Sequence, residues 1–170
     1  MRKAFTLIEL MISIAILSII MIFLYKSYAE LNLSNKIYTK KLEEIKKIEL
    51  IKKVIYLDFS LSKYKDVNIT HQDKIEDTVF FQTTHSIHNR INPYVAYIVK
   101  DKKLYRLESL KPIVEYPLVA DSEFISDFLG EVKSFRVYSA TDPTKAKYLV
   151  EIDFEIENDI LLKIKPLNEL

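Results

Sequence analysis

The chain contains no cysteine. It therefore uses no disulfide and no thiolate metal site, and thiol usage says nothing about its redox compartment. Glycine is almost missing as well. Gly130 is the only one, alongside five prolines. Glycine-rich loops that cradle phosphates are excluded as a class, and tight glycine hairpins go with them, so Asn, Asp and Lys have to make the turns. Charge of one sign is lacking too. Lys and Arg number 25 against 24 Asp and Glu, a net charge of +1, which gives no bulk electrostatic case for nucleic acid or an acidic partner.

What the chain does have is a long apolar run at its start, MRKAFTLIELMISIAILSIIMIFLY. Phe5–Tyr25 meets the length of a transmembrane helix, roughly 20 apolar residues for a hydrocarbon core of ~30 Å. Arg2 and Lys3 precede it, which by the positive-inside rule keeps the extreme N-terminus cytoplasmic and sends the bulk of the chain across the membrane. A secretory signal peptide fits less well, because the run is long, Glu9 interrupts its start and no small-x-small site follows it. Glu9 is the informative residue. A carboxylate at that depth costs roughly 3 kcal/mol even on the lenient insertion scale, and no Lys, Arg or His lies within the run. A cation that can join it is a backbone amine made by a cut just before Phe5. The amine of one copy would pair with Glu9 of a neighbour in a helical stack, offsetting much of the burial cost of both charges.

The stretch RKAFTLIELMISIAIL resembles the class III signal of type IV prepilins and type II secretion pseudopilins: a short basic leader, a small residue before the cut, an aromatic, then Thr-Leu-(Ile/Leu)-Glu and an apolar helix. The resemblance implies that Met1–Ala4 is a leader carrying Arg2 and Lys3, that a membrane-embedded prepilin peptidase cuts between Ala4 and Phe5 on the cytoplasmic side, that Phe5 becomes N-methylated, and that Glu9 is the motif's assembly acid. Ala4 departs from the usual Gly but is still small.

Behind the run, no Pro or Gly occurs before Pro93, so the helix is expected to continue to about Phe59. Ile37, Leu42, Ile45, Ile48, Ile51, Ile55 and Phe59 recur at spacings of 3 to 5 on one face. Lysines and glutamates fill the other face, with Glu43/Lys47 and Glu49/Lys53 in the favoured i,i+4 order. Those seven residues do not hold a strict heptad, so their expected cover is a sheet of the same chain. The lysines read as a solvated face balanced by glutamates, not as a nucleic-acid surface.

After Ser60 the pattern becomes one of strands: Thr78–Thr84, Tyr94–Lys100, Lys103–Ser109, Ile113–Val119, Val132–Ser139, Tyr148–Glu157 and Ile160–Lys165. Asp101-Lys102 is a two-residue hairpin loop between the second and third. DSEFISDFLGE, between Asp121 and Glu131, reads as a loop or short helical turn. From Tyr148 onward the alternation is clean, which means one face buried and one wet. The expected fold is α+β and pilin-like: a leader at 1–4, a transmembrane or filament-core helix at 5–25, its amphipathic continuation at 26–62, and an antiparallel β domain at 63–170. YVAYIVKDKKLYRLES and FLGEVKSFRVY are similar to segments of J-type minor pseudopilins and related minor pilins. The proline that major subunits carry about 20 residues into the mature helix is replaced by Lys26, and no cysteine pair closes a C-terminal loop, so the resemblance leans toward a minor subunit. Glu9 argues against the tip-most K-type subunit.

Catalytic chemistry is sparse. His85 and His88 stand three apart in THSIHNR, a spacing that chelates metal on a helix, but the flanks read as a loop and the two as solvated histidines. His71 is isolated, and no nucleophile elbow supports a Ser-His-Asp order. Glu155 and Glu157 lie on a wet strand face. Asp121, Asp127 and Asp142 do not have a calcium-loop spacing. Tyr94, Tyr97 and Tyr105 with Arg106 and Lys100 offer a stacking surface for single-stranded nucleic acid, although nucleic acid is not the expected partner. The expectation is a structural subunit, not an enzyme, with no cofactor. By resemblance it works in the tip or initiating complex of a type II secretion pseudopilus or type IV pilus-like filament. Its partners are other pilin or pseudopilin subunits, the prepilin peptidase and the inner membrane, with the β domain periplasmic before filament entry. The alternative is a membrane-anchored binding module that contacts a ligand directly in DNA uptake or adhesion.

Overall fold

A computed structural model describes residues 6–63, 67–71, 73–113, 123–140, 147–156 and 159–167. The expected α+β plan is present, with one long N-terminal helix and a seven-stranded antiparallel sheet. Internal contacts divide the chain into two compact units, Met1–Ile45 and Lys46–Leu170.

Helix α1 runs over Leu7–Ser60. It starts on a Thr cap, and no Pro or Gly interrupts it. Its end has no glycine, so the last carbonyls find other donors. The Ser62 hydroxyl and amide both reach Phe59 O, at 2.7 and 3.4 Å, and the Leu167 amide donates to Ser60 O at 2.7 Å. The strands are β1 (Asn68–His71), β2 (Asp77–Gln82), β3 (Tyr94–Lys100), β4 (Lys103–Ser109), β5 (Phe124–Ser139), β6 (Tyr148–Phe154) and β7 (Ile160–Ile164), each paired with the next in chain order. β3 and β4 have the bounds expected. Their turn places both Asp101 (φ 51°) and Lys102 (φ 59°) in the left-handed region. That is the backbone a two-residue hairpin requires, made here without glycine.

The strand expectations need correction in three places. Within DSEFISDFLGE, the stretch from Phe124 onward is strand and not a loop or helical turn, because β5 already begins at Phe124. Its first half pairs with β4 and its second with β6, through bulges at Leu104/Tyr105 and Val132/Ser134. Gly130 stands inside the strand opposite Leu104, at the first of these bulges. Acidic residues and a glycine disguised a long, bent strand. β1 was not foreseen, being short and polar at the sheet edge. Ile156 was assigned to a buried face but is 90 % exposed, since β6 ends at Phe154 and the alternation ends with it. The expected strand Ile113–Val119 falls mostly outside the described residues.

The sheet curls. Phe135 N donates to Ile75 O at 2.9 Å, tying β5 back to the start of β2. Inside the curl, Ile48, Ile51, Ile55 and Phe59 of α1 meet the inward side chains of β2 to β7. Phe59 is fully buried, with its ring 4.8 Å from Phe81, 5.5 Å from Tyr148 and 5.9 Å from Tyr97. Ile37, Leu42 and Ile45 are exposed. The apolar face read from the sequence as one feature is buried only from Ile48 onward.

Candidate functional site

Of the residues singled out in the N-terminal motif, Arg2, Lys3, Ala4 and Phe5 lie outside the described residues. Thr6 and Glu9 lie within them. Thr6 is the residue before the first helical turn, and its hydroxyl accepts from Glu9 N at 3.4 Å. Glu9 turns back in exchange. Its Oε2 accepts the Thr6 amide at 2.9 Å and the Thr6 hydroxyl at 2.8 Å. This is a capping box, in which a Thr and a Glu three residues apart satisfy each other's free amides. The carboxylate also sits at the positive end of the helix dipole. Sequence reasoning gave Glu9 an amine from another copy and missed this partner in its own first turn, although Thr6-Leu7-Ile8-Glu9 spells the signature. Beyond the box, Ser13 and Ser18 return their hydroxyls to Glu9 O and Ile14 O, each at 2.8 Å. α1 contains an 18-residue window with mean hydropathy 2.8, none of it buried, which suffices in length and composition to cross a membrane.

The second feature is a charged cluster inside the fold, where α1 ends. Asp58, Arg106 and Glu108 have side chains with no exposure. Arg106 donates from Nε to Asp58 Oδ2 at 2.6 Å, from Nη2 to Asp58 Oδ1 at 3.2 Å, and from Nη1 to Glu108 Oε2 at 2.6 Å. The Tyr97 hydroxyl donates to Asp58 Oδ2 at 2.6 Å. The segment between β2 and β3 closes the cluster. His85 Nδ1 faces Asp58 Oδ1 at 2.6 Å, Ser86 Oγ donates to Glu108 Oε1 at 2.5 Å, and the Ile87 amide reaches Glu108 Oε2 at 3.2 Å. His88 Nε2 stands 2.9 Å from Asp127 Oδ2, and that oxygen is 3.5 Å from Arg106. Burial pushes the Tyr97 phenol up, and the Asp58 charge beside it pushes the same way. Burial acts against the charge on Arg106, yet its bonds to Asp58 and Glu108 outweigh that and hold the guanidinium protonated above its usual range. For Glu108, burial raises the carboxyl, but the bonds from Ser86 and Arg106 prevail and keep it below its ordinary value. A buried guanidinium between two carboxylates is stable only when all partners are in place.

This geometry corrects two expectations. His85 and His88 are not solvated loop residues, since each is held by a carboxylate and is mostly shielded. Tyr97 and Arg106 are wholly buried, so the surface imagined for stacking nucleic acid is not assembled. Among the described residues, no group of three His, Cys, Asp or Glu is placed to hold a metal ion. The cluster directs its donors and acceptors at one another, which makes it a clasp between α1, β3, β4, β5 and the segment 85–88.

The N-terminal segment carries the functional signal. The family model for the prokaryotic N-terminal methylation motif matches residues 1–25. The match covers this N-terminal segment alone and supports the type IV pilin and pseudopilin family. The capping box and exposed apolar helix just described are the structural side of that pilin motif, and it points to a structural subunit. No curated protein and no solved structure matches the chain.

Proposed function

We propose that the chain is a minor pilin or pseudopilin, a subunit of the tip or initiating complex of a type II secretion pseudopilus or type IV pilus-like filament. The methylation motif at residues 1–25, followed by an unburied apolar helix, carries the reading. The chain inserts into the inner membrane with Arg2 and Lys3 cytoplasmic and the β domain periplasmic. Prepilin peptidase removes Met1–Ala4, and Phe5 is methylated. Phe5–Tyr25 serves first as the anchor and then as filament core, where its apolar surface is buried against neighbouring helices. Lys26 in place of the major subunits' proline, the absence of cysteine and the likeness of Tyr94–Ser109 to J-type hairpins support a minor role.

The capping box refines the part played by Glu9. Before assembly, Thr6 partly satisfies the carboxylate within its own chain, which lowers the cost of holding it in the bilayer. After the cut, the new Phe5 amine of a neighbour competes for the same group, and an unpaired buried charge penalises wrong axial stacking.

Mass spectrometry of the native N-terminal peptide, from cells with and without prepilin peptidase, tests the proposal. The expected peptide begins at methylated Phe5 only when the peptidase is present. An N-terminus left at Met1, or one beyond Tyr25, overturns it.

A further inference from the structure

The pattern Asn-x-Ser/Thr, the acceptor signature for N-linked glycans, occurs twice in the chain, at Asn32-Leu33-Ser34 and Asn68-Ile69-Thr70. Each also has an acid two positions before the Asn, Glu30 and Asp66. The local sequence therefore ranks neither above the other. The backbone does. Asn32 lies inside the 54-residue helix α1, where the amides and carbonyls around it are already used in the i→i−4 ladder. An enzyme that transfers a glycan has to grip the chain on both sides of the acceptor amide, and at Asn32 it could do so only by unwinding the helix.

Asn68 opens β1, the edge strand, which among the described residues pairs with β2 alone. Its backbone is already extended, and lifting part of a four-residue edge breaks pairing on one side only. Asn68 and Thr70 are exposed, while Ile69 between them turns inward and packs against the core. Strand alternation thus puts the two side chains that the pattern needs on one outward face. Among the described residues neither has a hydrogen-bond partner, so the carboxamide and the hydroxyl are both open. The strand is tied one residue further on, where His71 Nδ1 meets Asp77 Oδ1 at 2.6 Å. The Asn68 end can lift without breaking that tie.

We infer that Asn68 is an acceptor site for N-linked glycosylation, the donor being an oligosaccharide carried on a lipid diphosphate. In the transfer, Asn68 Nδ2 forms a bond to the anomeric carbon of the first sugar. The bond from that carbon to the diphosphate oxygen breaks, its electron pair leaves with the lipid diphosphate, and one amide proton passes to a base of the enzyme. Thr70 is a positioning residue, whose hydroxyl the enzyme reads. The inference rests on the proposed passage of the β domain across the membrane, where the acceptor meets the transferring enzyme.

The test is glycopeptide mass spectrometry of the full chain purified from its native cells. Trypsin releases Asn68 in the peptide Asp66–Lys74 and Asn32 in the peptide Ser27–Lys36. The expected result is a series of sugar masses on the first peptide, located at Asn68 by electron-transfer fragmentation, with the second peptide bare. Asn68→Gln and Thr70→Val should each remove the series with the circular dichroism unchanged. Thr70→Ser should keep it, which a merely structural role for Thr70 would not require. A bare Asp66–Lys74 peptide overturns the site, and so does sugar found on Asn32 or Thr70 in its place. Protease added to spheroplasts separates this from failure of the topology. A β domain that is digested yet carries no sugar overturns the site alone. One that is protected until the membrane is broken overturns the topology and the site together.

Discussion

The two units of the chain treat polar groups in opposite ways. In Met1–Ile45 the polar side chains of the apolar run are satisfied locally: Thr6 by Glu9, and Ser13 and Ser18 by carbonyls one turn back. Among the described residues of that run these bonds stay within four positions, and the apolar side chains are exposed. In Lys46–Leu170 two charged pairs of the buried cluster are made at long range. Asp58 meets Arg106, 48 positions away, and His88 meets Asp127, 39 positions away. Under the proposed function, in which the helix passes from bilayer to filament, holding its polar groups by itself is an advantage because its neighbours change. A domain that keeps one shape can entrust a buried charge to distant partners.

The largest effect expected on this contrast is at Glu9. Glu9→Ala should insert and be cut normally but reduce filament incorporation at least tenfold, measured by immunoblot of sheared filaments. Glu9→Gln separates the two roles, since Gln still serves a capping box but carries no charge for the amine. Incorporation of Glu9→Gln at the normal level would show that capping, not charge, is what assembly needs.

The clasp comes next. Arg106→Met leaves Asp58 and Glu108 buried without their cation and should cost about 3–5 kcal/mol in chemical denaturation. Changing Asp58, Arg106 and Glu108 together to apolar residues should recover most of that loss. A small cost for the single change would mean that the clasp is wetter than its burial indicates. Phe59→Ala removes the ring at the centre of the core and should cost a comparable ~3–5 kcal/mol. At acid pH the clasp should loosen through Glu108. Its folded-state value lies below the ordinary 4.5, so its contribution is present above the unfolded value and is lost as pH falls through the folded one. Unfolding midpoints should drop more steeply below pH 4.5 for the parent chain than for Glu108→Gln. The smallest effect is a gain. Asp101→Asn with Lys102→Gly relieves two left-handed non-glycine residues and should add about 1 kcal/mol.

Much of the architecture was readable from residue pattern. β3, β4 and their turn have the expected bounds, because strict alternation and an Asp-Lys pair say where chain reversal occurs. The misreadings share a cause. Phe124–Glu131 carries acids and the lone glycine, and becomes strand only because β4 offers it a paired edge. Ile37, Leu42 and Ile45 have the periodicity of a buried face, but periodicity does not say how far a sheet extends. The candidate site divides the same way. Thr6-Leu7-Ile8-Glu9 was legible in full and only half read, whereas nothing in the order of residues links Asp58 to Arg106 or His85.

Local interactions were therefore already written in the order of residues: the apolar helix, its cap, the short turns and the alternating strands each follow from groups within a few positions of one another. The pairing of buried charges, the bend of β5 and the point at which α1 passes from an open surface to a covered one were settled by folding. Each depends on groups brought together from distant positions, and their energies come from desolvation that exists only once the chain has closed around them.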